Sequence, residues 1–330
     1  MAYDKPFLTY EKQIEKLEKE YNLNCSENKE FDIELLKTIS YYDLINGYKD
    51  CFMENESFKN EVNLPTIFLF SLIDKRFQNI LFLYSVYVET IFKTKMAYII
   101  SKNKGIENVD YLDFNKYTVQ TPKRKNRLIK TLNDITAVHL YSKDNPTKHY
   151  REKHNHIPPW ILFKNVYFNN VIDLFTFLKP SMEKEILDDY SLFANLNVKL
   201  DLKSKNFKKM LTIVRKFRNK IAHNAKVFNY RVDPNDEIVH HEIQGILPSY
   251  FLSFKDINNG IGRTDLFAMI FSIIVLLDNK WIRHLFLREL KNSISSIKQI
   301  KYGDTYLDLA NFPLDIENRI DSMINLFKIN

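Results

Sequence analysis

The sequence predicts an all-α protein. Its 330 residues include only six glycines and ten prolines, whereas all-β folds and glycine-rich nucleotide loops need more turn residues than this. Apolar residues make up 45% of the chain, which is ordinary for a globular protein. They recur at helical spacing over long stretches, and no repeat or flexible linker interrupts them. We therefore expect many helices around one main core.

Helical periodicity and capping residues place the elements along the chain. Helices are predicted at residues 9–21, 31–42, 66–102, 123–141, 160–177, 182–190, 205–224, 265–290 (one helix or two) and within 311–330. Loops are predicted at residues 53–65, 103–122 and 142–159, and an irregular segment with room for a short hairpin at 227–262. A core of residues 65–290 would carry an N-terminal extension, 1–64, and a C-terminal tail, 291–330, in one compact unit.

The first two helices carry recognisable end signals. Thr9 is an N-cap residue for the first helix, which places Ile14 and Leu17 on one apolar face. The second helix, 31–42, leads into a segment that stops at Gly47, because glycine is the usual residue just beyond a helix C-terminus.

Cysteine usage and hydropathy indicate the cellular compartment of the protein. Cys25 and Cys51 are the only cysteines, and they form neither a disulfide framework nor a CxxC pair. The longest apolar run, residues 266–277, is too short to cross a bilayer and predicts a buried helix. With no apolar signal core at the N-terminus, we expect a soluble cytoplasmic protein without membrane partners. Three histidines within 149–156 lack an acid or cysteine at metal-ligand spacing, so neither metal nor cofactor is expected.

The net charge of +7 is unevenly distributed. Residues 199–226 contain ten Lys/Arg and one acid, a local charge of +9, so the rest of the chain sums to −2 (7 − 9). Such runs are often solvated faces, but a run beside a candidate site favours a polyanion such as nucleic acid. The candidate RNA-binding residues are Lys123, Arg124, Lys125, Arg127, Lys208, Lys209, Arg215, Lys216, Asn224 and Arg231.

Residues 215–224, RKFRNKIAHN, place an arginine, an amide and a histidine on one predicted helix. Arg218 flanks the apolar stripe, where an unpaired guanidinium is costly, so it must find an anion or acceptor. Asn219 is four residues from His223 and can orient the imidazole or contact a substrate. Arg218 and His223 stand about 140° apart on an ideal helix. They converge only through a loosened helix end, a bridging substrate or a second subunit near two-fold symmetry.

This set of side chains can cleave RNA without a metal. The 2′-hydroxyl of RNA attacks the adjacent phosphate, His223 transfers a proton and Arg218 stabilises the phosphoryl charge. Glu89 in the long helix is either a supporting acid at this site or only the surface partner of Lys93. The structural alternative is an ion-paired Arg218 and a His223 favoured by the helix C-terminus.

The bare R-x4-H spacing is weak evidence. With 11 Arg and 8 His, about one such match is expected by chance. A second match, Arg151 to His156, lies in the predicted 142–159 loop next to two prolines that cannot continue a helix, and it is interpreted as the chance match.

Residues 218–224, RNKIAHN, with VFNYR at 227–231, resemble the RN-x-x-AH motif of the HEPN superfamily, and more narrowly the Abi family of bacterial abortive-infection proteins of the AbiD and AbiF type. Other family elements occur in the same order. They are KPFLT at 5–9 with QI at 13–14, YYDLINGY at 41–48, YVET at 87–90, PPW at 158–160 and FP at 312–313. Ala225 replaces the tyrosine two residues after the histidine, so control through that tyrosine is not implied.

The resemblance implies a HEPN-like multi-helix bundle with additional N- and C-terminal helices, and a role in phage defence. It implies a metal-independent endoribonuclease in which Arg218, Asn219 and His223 act across a homodimer on target RNA. A small structured RNA is a further candidate partner, as an antitoxin that plugs the basic surface. Two alternatives stay open: a non-catalytic RNA-binding HEPN protein, and a protein-binding phage sensor.

Overall fold

The computed structural model describes residues 5–26 and 28–328, and it confirms the all-α class. Within those residues the only strands are β1 (Met53–Glu54) and β2 (Ser57–Phe58). The α-helices, α1 to α17 in chain order, span Tyr10–Tyr21, Lys29–Thr38, Gly47–Phe52, Leu64–Lys104, Asn108–Tyr111, Pro122–Tyr141, Thr147–Lys153, Pro159–Asn165, Phe168–Phe175, Pro180–Asp188, Ser191–Ala194, Leu200–Ala222, Phe254–Asn258, Leu266–Leu276, Lys280–Lys298, Gly303–Leu309 and Ile316–Leu326. A π-helix covers Tyr42–Asn46, and 3₁₀ turns cover Phe114–Lys116, Pro234–Asp236 and His240–Ile243.

Four helices form the centre of the fold. The 41-residue α4 packs against α12 and α15, and α12 also packs against α14. Every residue of α14 is buried, which confirms the buried helix predicted at 266–277. A helix that is apolar on all sides can only lie inside the core of a protein or in a membrane. No helix in the described part of the chain is both long and apolar enough to cross a membrane.

The N-terminal end signals are partly confirmed. The side chain of Thr9 accepts a hydrogen bond from Lys12 N at the start of α1, and Ile14 and Leu17 are buried as expected. The role predicted for Gly47 is wrong, because its φ of −62° is helical and it begins α3.

The chain continues as helix beyond residue 42 because its apolar residues remain buried at helical spacing. Leu44, Tyr48 and Phe52 are all buried, and they lie four residues apart on one face of the continuous π-α segment. The burial of that face outweighs the tendency of a glycine to end a helix.

One predicted loop contains a hairpin, and one predicted hairpin does not form. Asn55 and Glu56 have φ values of 49° and 67° between β1 and β2, which suits a two-residue type I′ turn. The usual glycine of that turn is replaced by Glu56, so its signal is absent from the sequence. In 227–262 the backbone makes single contacts with the stretch before α14 instead, such as Val232 N–H to Thr264 O at 2.9 Å.

Other predicted boundaries change without changing the fold class. The loop predicted at 103–122 contains α5, and the one at 142–159 contains α7. The helix predicted at 160–177 is divided into α8 and α9, and 265–290 covers α14 and the start of α15.

A buried carboxylate connects three distant parts of the chain. Asp74 on α4 accepts hydrogen bonds of 2.6 Å from the hydroxyls of Tyr48 and Tyr306 and from the amide of Gln78. Burial raises the pKa of Asp74, while these hydrogen bonds oppose the rise. The predicted extension 1–64, core 65–290 and tail 291–330 therefore contact one another here, although the division into these parts stays a prediction.

Candidate functional site

The RN-x-x-AH segment forms the last two turns of α12. The predicted apolar stripe of this helix is buried along its whole length, at Phe207, Met210, Leu211, Val214, Phe217 and Ile221. This stripe packs against α4 and α14. The burial holds the C-terminal half of α12 in place and leaves Arg218 at the edge of the packed face, as the helical spacing predicts.

Arg218 pairs with an anion, as its position at the edge of the apolar stripe requires. Its Nη2 donates to Glu89 Oε2 at 3.0 Å, and its Nη1 donates to Asn219 Oδ1 at 3.2 Å. The guanidinium also lies 6.0 Å from the ring centre of Phe82. Its Nε is buried without a hydrogen-bond partner, so one strong donor of this group remains free.

Glu89 is the centre of a small ionic network. Its other oxygen, Oε1, accepts from Lys93 Nζ at 2.6 Å, and Lys93 also donates to Val166 O at 2.7 Å. The side chain of Glu89 is only 13% exposed, against 31% for Arg218. Glu89 therefore pairs with Lys93, as one alternative predicted, and it also accepts from Arg218; its role as a supporting acid stays a prediction.

His223 stands where α12 ends. It is the C-cap residue, and Asn224 follows with a left-handed φ of 57°. The N–H groups of Asn224 and Ala225 donate to Ile221 O and Lys220 O, which is the Schellman arrangement with asparagine in place of the usual glycine. Lys75 on α4 donates to Asn224 O at 2.9 Å and fixes this end.

The imidazole of His223 is exposed and has no hydrogen-bond or ion-pair partner among residues 5–26 and 28–328. Asn219 binds Arg218 rather than the imidazole, so its predicted role in orienting His223 is not seen. The structure thus brings Arg218, Asn219 and Glu89 together, but no contact joins Arg218 to His223 within one chain.

The two ends of the motif face different openings. Arg218 lines a cavity of about 450 Å³ together with Glu89, Lys93 and Trp160. The last turn of α12, through Lys220 and Asn224, lines a second cavity of about 690 Å³. The described residues contain no group of three or more His, Cys, Asp or Glu side chains that could hold a metal ion.

One comparison with known proteins identifies the family of the chain. The family model described as Abi-like protein matches residues 34–229, more than half of the chain. The chain belongs to this Abi-like family. The matched range includes the YYDLINGY element, Glu89, PPW and the RN-x-x-AH segment. No curated protein and no solved structure matches the chain. Membership of the family indicates a role in abortive infection, a defence of bacteria against phage.

The basic segment of this Abi-like protein is less positive in space than in sequence. Four of its ten cations form ion pairs with acids from elsewhere: Lys205 with Glu242, Lys216 with Asp236, Arg218 with Glu89 and Lys226 with Asp50. None of these acids lies within residues 199–226, so the local charge of +9 overstates the field at the surface.

Several candidate RNA-binding residues also have structural contacts. Lys209 donates to Glu237 O, Arg124 to Thr176 O and Arg231 to Phe228 O, Tyr230 O and Leu309 O. Arg127 is ion-paired with Asp173, Lys125 lies near the ring of Phe114, and Lys123 is exposed. Sequence spacing cannot show these contacts, because the acceptors are backbone carbonyls and acids far along the chain.

The side chains of Lys208 and Arg215 on α12 are partly buried, and they form no ion pair or hydrogen bond within the described part of the chain. Burial lowers the pKa of both side chains, and the nearby carboxylate of Asp173 opposes that shift. Arg215 Nε is buried without a hydrogen-bond partner. Because Lys208, Arg215 and Arg218 are three or seven residues apart, they form one row along the helix toward His223.

The second R-x4-H match has a structural role. Arg151 lies on α7 rather than in a loop, and it donates to His139 O at 3.0 Å and Ser142 O at 2.6 Å. These carbonyls belong to the end of α6, so Arg151 satisfies acceptors that the helix itself leaves unpaired. The contrast with Arg218, which pairs with a carboxylate beside a cavity, supports the choice between the two matches.

Two parts of the site have no clear signal in the sequence. Lys75 was not distinguishable from other surface lysines, although it binds the chain just after His223. Tyr42, which is 73% exposed and lines the 690 Å³ cavity, stands in the sequence only as one aromatic residue of the YYDLINGY element. The signal that could have identified it is a large aromatic residue at a position that the helix exposes to solvent.

Proposed function

We propose that this Abi-like protein is a cytoplasmic, metal-independent endoribonuclease of the HEPN superfamily that arrests growth during phage infection. The observation that carries the proposal is the end of α12. It presents an arginine with a free buried donor beside a cavity, and an exposed histidine without a partner. These are the two kinds of group that phosphate transfer by an RNA hydroxyl requires.

The reaction uses the RNA's own nucleophile. The 2′-oxygen forms a bond to phosphorus while the bond from phosphorus to the 5′-oxygen breaks, which leaves a 2′,3′-cyclic phosphate and a 5′-hydroxyl end. One proton leaves the 2′-hydroxyl and one is added to the 5′-oxygen, so a base and an acid are both needed. Two copies of His223, one from each chain of a homodimer, supply both roles. DNA has no 2′-hydroxyl and is not cut.

Arg218 would exchange partners during this reaction. In the free protein its guanidinium is neutralised by Glu89 at 3.0 Å. A phosphate that enters the cavity would replace Glu89 as the anion at Nη2, and a rotation of the side chain would bring the buried, unsatisfied Nε to its second oxygen. Asn219, which already binds Nη1, keeps the guanidinium plane in a fixed orientation.

A homodimer would complete the site. The outward face of α4 exposes Leu72, Leu83, Val86 and Tyr87. Leu72 lines the cavity next to Asn224, and Val86 lines the cavity next to Arg218, so this face borders both ends of the motif. We propose that a second copy packs here and brings its His223 toward Arg218. Sedimentation should show a dimer for wild type and a monomer for Leu83→Glu; a wild-type monomer at all concentrations would refute the shared site.

RNA is the proposed partner of the row formed by Lys208, Arg215 and Arg218. The same surface suits a target RNA or a small structured RNA that acts as an antitoxin by covering the site. Substitution of Lys208 and Arg215 by alanine should weaken binding of any RNA and reduce its dependence on salt, because each lost phosphate contact lowers the salt slope by about 1.

The test of catalysis compares wild type with Arg218→Ala and His223→Ala. We expect RNA cleavage to fall by about 10²–10⁴-fold in each variant, the range for loss of a general acid or base or of a charge-stabilising donor. Arg218→Lys keeps a cation opposite Glu89 and guards against a folding defect, but it loses the two-pronged contact and should also be impaired. The matched control is His156→Ala, from the second R-x4-H match. Equal RNA cleavage by all five proteins would refute the proposal that Arg218 and His223 form a nuclease site.

A non-catalytic RNA-binding protein is the second candidate, and the Arg218–Glu89 pair favours it. A carboxylate that neutralises the arginine, and the absence of contact between Arg218 and His223 within the described chain, also suit a protein that only holds RNA. In that case wild type binds RNA without cleaving it, and the only effect of Arg218→Ala and of His223→Ala is weaker RNA binding.

A further inference from the structure

The cavity of about 690 Å³ beside the end of α12 has a composition suited to an unpaired nucleotide. Three parts of the chain form its walls: residues 38–48, residues 68–75 of α4 and residues 220–231. Its volume lies within the range of small-molecule binding sites, about 300–1,000 Å³. It is the larger of the two cavities that border the motif, and neither Arg218 nor Glu89 lines it.

We infer that this cavity binds one flipped-out base of the RNA, next to the phosphate that approaches His223. The inference rests on the proposed RNA-directed function, and it adds a specificity site to it. Tyr42 provides the stacking surface, the amides of Asn46 and Asn229 provide hydrogen-bonding groups for a base edge, and Lys220 provides the cation for the neighbouring phosphate.

Tyr42 is suited to stacking because its ring is free. The residue is 73% exposed, lines the cavity, and makes no ring contact with another aromatic residue in the described part of the chain. Tyr230, which also lines the cavity, is instead fixed by an edge contact with Phe217 at 4.9 Å. A planar base can stack against the free ring of Tyr42.

The backbone around Tyr42 supports a binding role. Residues Tyr42–Asn46 form a π-helix that continues directly into α3, and short π-helical turns are frequent at functional sites. Tyr42 and Asn46 both line the cavity, while Leu44 and Ile45 between them are buried.

The charges around the cavity favour a nucleotide over a cation. The two acids nearby are already occupied: Asp43 accepts from Ser40, and Asp50 accepts from Lys226 and Asn229. Lys220 is exposed, and its Nζ lies 5.1 Å from the ring centre of Tyr230. It has no carboxylate partner among the described residues, so a phosphate can reach it.

The position of the cavity connects it to the proposed chemistry. Asn224 lies one residue after His223 and lines the cavity, and Lys75 fixes its carbonyl at 2.9 Å. A base held against Tyr42 would therefore position its own phosphate, or the next one, at the exposed imidazole. The site would select single-stranded RNA, because bases in a duplex are not free to enter.

The first test measures binding of short single-stranded RNA by fluorescence anisotropy, in the His223→Ala background so that the probe stays intact. Tyr42→Ala should weaken binding about 5- to 100-fold, the loss that corresponds to one stacked base, whereas Tyr42→Phe should bind like the background. The matched control is Tyr141→Ala, since Tyr141 is 75% exposed and lies outside this cavity.

The results separate this inference from the proposed function. If the background protein binds RNA and Lys208→Ala weakens binding while Tyr42→Ala does not, the nucleotide cavity is refuted and the RNA-directed function stands. If neither wild type nor the background protein binds RNA, both are refuted. Equal losses in Tyr42→Phe and Tyr42→Ala would show that the hydroxyl, rather than ring stacking, binds, and would also overturn the inference.

A second test does not depend on a substitution that disturbs folding. RNA that contains 4-thiouridine is cross-linked by light to the His223→Ala protein, which leaves the RNA intact, and the modified peptides are identified. We expect cross-links within residues 42–48 or 224–231. Cross-links confined to other regions, such as α6, would overturn the inference.

Discussion

Asp74 and Glu89 are two acids of the same helix, α4, and each binds residues from distant parts of the chain. Asp74 is fully enclosed and accepts three hydrogen bonds, from Tyr48, Tyr306 and Gln78. Glu89 is partly exposed and pairs with two cations, Lys93 and Arg218. The first carboxylate lies in the core, and the second lies beside an opening.

The partners explain the different roles of these acids. The tyrosine hydroxyls that bind Asp74 have no other acceptor and no access to water, so this contact is permanent in the folded state. Arg218 keeps a buried Nε donor without a partner and borders a cavity. A partly buried ion pair at the edge of a cavity can exchange one anion for another. A buried polar contact that uses every donor therefore suits a structural role, and an incomplete one beside a cavity supports the proposed function.

The largest effect on stability is expected for Asp74→Ala. The substitution leaves the buried hydroxyls of Tyr48 and Tyr306 without an acceptor, and each unsatisfied buried group costs about 1–3 kcal/mol. We expect the free energy of unfolding to fall by about 3–5 kcal/mol in urea denaturation. The control is Asp308→Ala, an exposed acid of α16, which should change stability by less than about 0.5 kcal/mol. A loss of the same small size at Asp74 would contradict the structural role of this carboxylate.

The same two acids show what the sequence could reveal. The helical period predicted α4 and placed Glu89 near apolar residues, and the costly burial of Arg218 predicted that it would find an anion. The identity of that anion was not predictable, because Arg218 and Glu89 are 129 residues apart. The role of Asp74 was hidden altogether, since a carboxylate between apolar residues of a helix has the same pattern as a surface acid.

Short-range signals were also limited by tertiary context. Thr9 and Asn224 behave as their types suggest, as an N-cap and as a left-handed helix end. Gly47 does not, because the apolar residues on either side of it are buried together. The basic run at 199–226 was overestimated for a similar reason. Four of its ten positive charges are compensated by acids from elsewhere in the chain, such as Glu242, Asp236 and Glu89, whose positions depend on the fold.

An intermediate effect is expected for Glu89→Gln. Glutamine still accepts a hydrogen bond from Arg218, but it no longer neutralises the guanidinium, so the unfolding free energy should fall by about 1 kcal/mol or less. RNA affinity should rise about fivefold, because one negative charge near the bound phosphate, worth about 1 kcal/mol, is removed. Titration of single-stranded RNA at low salt measures this gain.

Glu30→Gln is the matched control for that titration. Glu30 is an exposed acid of α2, far in sequence from the motif, and its loss should leave RNA affinity unchanged. If Glu89→Gln weakened RNA binding, Glu89 would be a supporting residue of the site rather than a carboxylate that competes with the phosphate for Arg218.

The smallest effect on stability at neutral pH is expected for Asp74→Asn. The difference in unfolding free energy between this variant and wild type should depend on pH. The amide oxygen can still accept from both tyrosines and no charge is buried, so stability should stay within about 1 kcal/mol of wild type.

Burial raises the pKa of Asp74 in the folded protein. From about pH 4 upward the unfolded chain therefore loses this proton first, and wild-type stability declines relative to the variant until the folded pKa is reached. Below pH 4 both states are protonated and the difference is constant. Urea denaturation of both proteins from pH 3 to 8 isolates Asp74, because every other titrating group is shared. If the unfolding free energies of the two proteins ran parallel through this pH range, burial would not shift the pKa of Asp74. The contrast with Glu89 would then rest on hydrogen bonding alone.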